Sequence, residues 1–225
     1  MKKAFFVVVL LISINLLAFS QIENWSSMGF EFGNSLEKYP DNGFSYLGAP
    51  GLYINMYQFG DLRNIGLFLN FTALFPAVEK HDNINYNYLF QYDWIMGPGF
   101  RHMINDNLSL RFGIGLHISQ LYAEYTQGNI DYTLDAENFG IGADAGVKYD
   151  FTEKFYLECG LTLAYDFINF ASIDSYSNDR NVRTRISDDI NIGNYILGGI
   201  KPYIGIGINM YGEKNKYGKP PHKIK

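Results

Sequence analysis

The chain has 225 residues, of which 18% are charged and 17% aromatic, with 23 Gly, one Cys and a formal net charge of −5. Average soluble domains carry about 25% charged residues, yet mean hydropathy is only −0.11 and no stretch beyond the first twenty residues is continuously apolar. These values exclude a polytopic helical membrane protein, which needs runs of roughly 20 apolar residues. They also exclude an internal disulfide framework, a cysteine-based zinc site and, at a pI near 5.3, a nucleic-acid binder with a basic face.

Residues 1–20 read as a secretory signal peptide. Lys2 and Lys3 form its positive end, Ala4 to Ile12 its apolar stretch, and Ala18 and Ser20 are the small residues before a cleavage point at Gln21. The residue at that point is Gln21 and not a cysteine, so a lipoprotein anchor is not expected. Cleavage leaves 16 basic against 23 acidic residues, a net charge of −7.

After Gln21 the pattern has period two, the signature of strands with one apolar face. Met28, Phe30 and Phe32 alternate with Gly29, Glu31 and Gly33; Leu52, Ile54 and Met56 alternate with Tyr53, Asn55 and Tyr57, a segment of ambiguous facing. Ile65 to Phe71 and Tyr88 to Met96 follow the same rule, and Leu108 to Ile118 is the clearest case, with six apolar positions against Ser109, Arg111, Gly113, Gly115, His117 and Ser119. Phe139 to Tyr149, Phe155 to Phe167 and Ile204 to Met210 bring the count to eight. The connections, at 37–46, 59–64, 76–86, 102–107, 121–137, 151–154 and 168–195, alternate long and short. That asymmetry is expected of an antiparallel transmembrane barrel with short turns at one end and long loops at the other.

The non-apolar faces are mostly Gly with sparse charges, which suits a narrow lumen better than a surface in water. Aromatics such as Trp94, Tyr149, Phe155 and Tyr165 gather toward strand ends, as interfacial girdles do. The expected fold is therefore all-β, an eight-stranded antiparallel up-and-down transmembrane barrel over 21–211, followed by a short basic periplasmic tail at 212–225. Eight strands give an interior just wide enough for side chains to fill. Its expected lumen charges are Glu31, Asp93, Asp144 and Glu158 against Arg101, Arg111, Lys148 and Lys201. Measured from the strand ends, Glu31, Arg111, Lys148 and Glu158 form a low band, and Asp93, His117 and Lys201 a high one. Buried charges must pair, so a filled lumen is expected before a gate. Pro98 and Pro202 are expected at bulges or strand ends, because a closed barrel has no edge strand to accommodate a missing N–H.

Over residues 28–211 the chain resembles the small eight-stranded outer-membrane barrels, the group of the OmpA transmembrane domain, OmpX and OmpW, and is similar to the outer-membrane β-barrel domain common in Bacteroidota. The resemblance is carried by Gly97-Pro98-Gly99-Phe100-Arg101, Leu108-Ser109-Leu110-Arg111-Phe112-Gly113, residues 147–154 and Lys201-Pro202-Tyr203-Ile204-Gly205-Ile206-Gly207. It implies residence in the outer membrane, contact with its lipid, and both termini in the periplasm. The last strand resembles the signal read by the barrel-assembly machinery, with Tyr203, Gly205, Ile208 and Met210 in its four places, although this chain continues to Lys225. His117-Ile118-Ser119 resembles the His-x-Ser of a lipid A-deacylating barrel, with no acidic orienter identified beside it.

The expected function is non-enzymatic: a structural or surface-interaction barrel, contacting an extracellular ligand through loops that hold Asn85, Tyr86, Tyr88, Arg180, Arg183 and Arg185. A narrow pore for small or apolar solutes is the alternative, and a lipid A-modifying enzyme using His117 and Ser119 is the alternative of another class. His81, His102 and His222 are too scattered to imply a metal, and no cofactor is expected.

Overall fold

A computed structural model describes residues 23–35, 46–59, 64–75, 77–78, 84–128, 130–177, 182–187 and 199–211. In chain order the strands are β1 Glu23–Ser35, β2 Tyr46–Phe59, β3 Ile65–Leu74, β4 Ala77–Val78, β5 Ile84–Met103, β6 Leu108–Gln127, β7 Ile130–Asp150, β8 Phe155–Ser177, β9 Val182–Ser187 and β10 Gly199–Tyr211. Every pairing is antiparallel, each long strand pairs with its neighbours in sequence, and β1 pairs with both β2 and β10. The eight long strands thus close on themselves, while β4 adds to β2 and β9 adds to β8.

The register fixes the stagger of the closure. From Arg101, directly opposed residues run through Arg111, Gly146, Gly160 and Tyr203, then through Glu31, Gly51 and Leu74 to Gln91. One circuit therefore returns to β5 ten residues from its start, a stagger that tilts the strands by roughly 40° to the barrel axis.

Outward positions are apolar and bare: Phe30 is 71% exposed, Leu116 and Ile204 are each 63% exposed, and Ile54, Ile114, Ile141 and Leu157 stand beside them. No monomer keeps such a wall in water. It belongs in lipid, where a closed sheet leaves no backbone group unpaired. Replacing Ile114 with Arg on this wall is expected to cost about 2–4 kcal/mol in folding into vesicles, read from urea titration of the membrane-inserted protein.

Strand lengths divide the barrel in two. β1, β2, β3 and β10 run 13, 14, 10 and 13 residues, close to the 9–11 that a bilayer requires. β5 to β8 run 20 to 23 and rise about 15–20 Å above the others. The long loop expected at 121–137 is in fact strand: β6 and β7 continue to a tight turn at Gly128, whose φ of 64° suits glycine. Here the alternation inverts. Leu121, Ala123, Leu134 and Ala136 are buried, while Glu124, Asp135 and Glu137 face outward, as water rather than lipid demands. The same correction applies to β8, which runs to Ser177, and to Asn85, Tyr86 and Tyr88, which lie in β5 and not in a loop.

Neither Pro98 nor Pro202 makes a bulge or ends a strand. The register is the same on both sides of each, and the ladder lapses only where the absent N–H would have served: between Met96 and Gly99 toward β6, and between Glu31 and Asn34 toward β10. The register shifts lie elsewhere, between Tyr46 and Gly48, Tyr86 and Tyr88, Phe139 and Gly140, and Ile173 and Asp174.

Candidate functional site

The inside of the barrel is the one place where polar chemistry is concentrated among the described residues. It divides into three layers, counted from the end that carries Glu23 and Tyr211. In the lowest layer, Trp25 is held between two cations, with Lys148 4.3 Å and Arg101 5.2 Å from its ring centre. Arg101 also lies 4.4 Å over Phe59 and donates to Glu23 at 2.7 Å, and the Trp25 indole donates to the same carboxylate at 2.8 Å. Lys148 donates to both oxygens of Asp150, at 2.5 and 2.6 Å.

The middle layer is built around Arg111, which is fully inside. Its guanidinium donates to Glu158 and, at 2.8 Å, to the Tyr203 oxygen, and lies 3.7 Å from Asp144. Glu158 also accepts from Ser27 at 2.5 Å, Tyr53 at 2.7 Å and Asn55 at 3.3 Å, and Tyr57 donates to Asp144. One carboxylate thus ties β1, β2 and β6 to β8 across the lumen. Tyr57 stacks on Phe68 with ring centres 5.5 Å apart, closing the remaining space.

Glycine makes this filling possible. A β-carbon on Gly113 would sit 2.6 Å from the Phe68 ring, and one on Gly142 would sit 2.7 Å from Ile95. Gly160 and Gly207 similarly face Tyr203 and Tyr156. Phe68, Ile95, Tyr203 and Tyr156 thus each lie against wall that carries no side chain of its own.

The upper layer holds Lys201, which donates to Asp93, and Gln91, which donates to the same carboxylate at 3.1 Å. His117 Nδ1 lies 2.6 Å from Asp166, and Asn138 donates to Ser119 at 3.0 Å. Glu31 is buried here without a hydrogen bond to either oxygen.

No family model matches the sequence, and no curated protein matches it. Solved structures do. A major outer membrane protein of Thermus thermophilus is similar over 84% of this chain and 99% of its own, at 9% identity and a TM-score of 0.60. The outer membrane protein OprG of Pseudomonas aeruginosa is similar over 86% of this chain and 98% of its own, at 9% identity and a TM-score of 0.59. The fold is that of the small eight-stranded outer-membrane barrels.

Within this outer-membrane barrel fold, the eight charges expected in the lumen all point inward and are buried, but their grouping differs from the sequence reading. Glu31 is not in the low band; it lies with Lys201, Asp93 and Thr72, because β1 begins at Glu23 and lifts Glu31 by five residues relative to a start at Met28. Arg101 and Lys148 pair with Glu23 and Asp150, which are not among the eight. Trp25, Tyr53, Tyr57, Phe59, Phe68, Tyr156 and Tyr203 fill the lumen, so aromatics are not confined to the rims. The signal for Glu23 and Trp25 is present in the sequence, since period-two spacing continues back through Ser27.

His117 does have an acidic orienter in Asp166, which sits on the same inward face of β8 as Glu158 and Thr162. Ser119 is not bonded to that His. It is held by Asn138, and His117 Nε2 has no partner, so no nucleophile–base pair is formed. Among the described residues, no group of three or more His, Cys, Asp or Glu is arranged to hold a metal. In the last strand, Tyr203 and Gly205 face inward while Ile208 and Met210 face out. Ala18, Ser20, Gln21, Arg180 and the basic tail lie outside the described residues.

The outer face of the raised strands carries Tyr88, 51% exposed, edge-on to Tyr122 at 5.9 Å. Tyr122 donates to Glu124, and that bond pushes its phenol up to about 12. Gln120 donates to Asp135 at 2.7 Å, joining β6 to β7 in the same raised section.

Proposed function

We propose that the chain is a non-enzymatic integral protein of the outer membrane, plugged across its lumen, that acts at the cell surface through the raised strands β5 to β8 and the loops beside them. The observation that carries this reading is the middle layer: Arg111, Glu158, Asp144, Tyr53, Tyr57 and Tyr203, from five strands, bridge the lumen through direct hydrogen bonds. The chain is exported by residues 1–20, cleaved between Ser20 and Gln21, and inserted by the barrel-assembly machinery acting on Tyr203, Gly205, Ile208 and Met210. Both termini and the basic tail face the periplasm. Tyr88, Tyr122, Glu124 and Glu137 are the surface offered to an extracellular ligand.

Refolded protein in planar bilayers is expected to leave conductance at the baseline of the bare membrane. Steady steps above it would contradict the plug. Labelling of a tag at Gly128 on intact cells is expected to succeed, and labelling of a tag after Lys225 to require permeabilisation.

A second reading, a path for small apolar solutes, is favoured by one feature. On the outer wall a groove of about 570 Å³ is lined by Phe30, Phe32, Pro50, Leu52, Phe75 and Pro202, at the point where the β1–β10 ladder lapses. Faster entry of a small apolar dye into vesicles carrying the protein than into empty ones would support it.

A further inference from the structure

The upper layer of the lumen holds more acids than bases. Three carboxylates, Glu31, Asp93 and Asp166, surround the single ammonium of Lys201, and His117 is the nearest other base. Lys201 bonds Asp93, and Asp166 shares one oxygen with His117. Glu31 alone has no direct bond. Its side chain is 2% exposed, neither oxygen has a hydrogen-bond partner, and the groups that face it are Lys201, Asp93 and the hydroxyls of Thr72 and Thr162.

The neighbouring orphans have the same character. Gln91 Oε1, Asn138 Oδ1 and Asp166 Oδ2 are buried acceptor oxygens without partners, against the hydroxyl of Thr162 and the single ring nitrogen of His117. A buried carboxylate left bare is strongly unfavourable, and buried polar atoms in native proteins are satisfied by some group. An excess of acids together with an excess of acceptors suits an occupant that is positive and surrounded by donors. No three His, Cys, Asp or Glu side chains among the described residues converge to strip a metal ion. The occupant therefore keeps part of its water shell, as a hard cation held by one or two carboxylates does.

We propose that the upper lumen binds a small, partly hydrated cation at Glu31, with Asp93, Thr72 and Thr162 completing its shell directly or through its waters. The site sits above the Arg111 layer, so it is a bound-ion site and not a conducting path. Binding to the folded state alone raises the unfolding midpoint.

The test uses the mature protein refolded in detergent, with loss of the heat-modifiable folded band followed at constant ionic strength. Sodium or magnesium chloride is expected to raise the midpoint by about 3–8 °C over N-methyl-D-glucamine chloride, whose cation is too large to enter. Glu31→Gln, which keeps the shape of the side chain, is expected to remove that difference. An equal midpoint in all three salts, or a Glu31→Gln protein with an unchanged cation response, would overturn the proposal. Should that variant fail to fold, wild-type crystals grown in rubidium chloride decide the matter: an anomalous peak beside Glu31 supports the site, and its absence overturns it.

Discussion

Replacing Arg111 with Met is expected to cost about 3–5 kcal/mol of stability, the largest effect of any single lumen charge. The guanidinium is the only cation in direct contact with Glu158 and Asp144 among the described residues, and all three side chains are fully removed from solvent. Removing it leaves two carboxylates buried with only neutral donors from Ser27, Tyr53, Asn55 and Tyr57. Met preserves the length and much of the volume, so the loss reports charge and hydrogen bonding rather than a cavity. Urea unfolding of the refolded protein measures the change. A double variant that also carries Glu158→Gln is expected to recover part of it, because the unpaired charge is the main cost and not the missing bond. If Arg111→Met alone left the midpoint unchanged, Arg111 would not be the centre of the plug.

Gly207→Val is expected to be as damaging, by a different route. A β-carbon at this position would fall within the ring of Tyr156, which is fully buried beside Trp25 and Lys148. The ring cannot step aside, because Lys148 lies 4.6 Å over its face and the lowest layer is packed. The expected result is a loss of several kcal/mol, typical of severe overpacking, seen as failure to form the compact band on refolding. All three nearest atoms belong to Tyr156, which makes a coupling test available. Tyr156→Ala alone is expected to cost about 3–5 kcal/mol, and Gly207→Val added to it almost nothing. Additive losses would mean that the two residues do not compete for the same space.

The same pair marks the limit of what period-two alternation reveals. Alternation assigns Tyr156 and Gly207 to inward faces, and it fixes the facing of Glu158, Arg111 and Lys201, because side-chain direction in a strand depends only on parity. It does not reveal that Tyr156 lies against Gly207, since that depends on the stagger between β8 and β10. Glu31 shows the same point more sharply. Its direction follows from Phe30 and Phe32 on either side, but its height follows from where β1 begins, and a start five residues earlier moves it from Arg111 to Lys201. Asp166 is legible as an inward residue, yet nothing local links it to His117, two strands away.

The raised strands escape the sequence reading for a physical reason. Within the bilayer the outward positions must be apolar and the inward ones small or polar, and Leu108 to Ile118 obeys. Above it the solvent changes to water and the pattern reverses, so Leu121, Ala123, Leu134 and Ala136 turn inward while Glu124, Asp135 and Glu137 turn out. Read with the lower rule, that reversal looks like a loop.

The sequence by itself determined the class of the molecule. Its alternation, its short turns and its lack of any long apolar run beyond the first twenty residues specify a closed antiparallel barrel with an apolar outer wall, because those are properties of each strand taken alone. Tertiary structure decided everything that depends on how strands are staggered. The ten-residue offset of closure sets which layer each charge occupies, which glycine each aromatic ring covers, and that Arg111 meets Glu158 while Glu31 meets no direct partner.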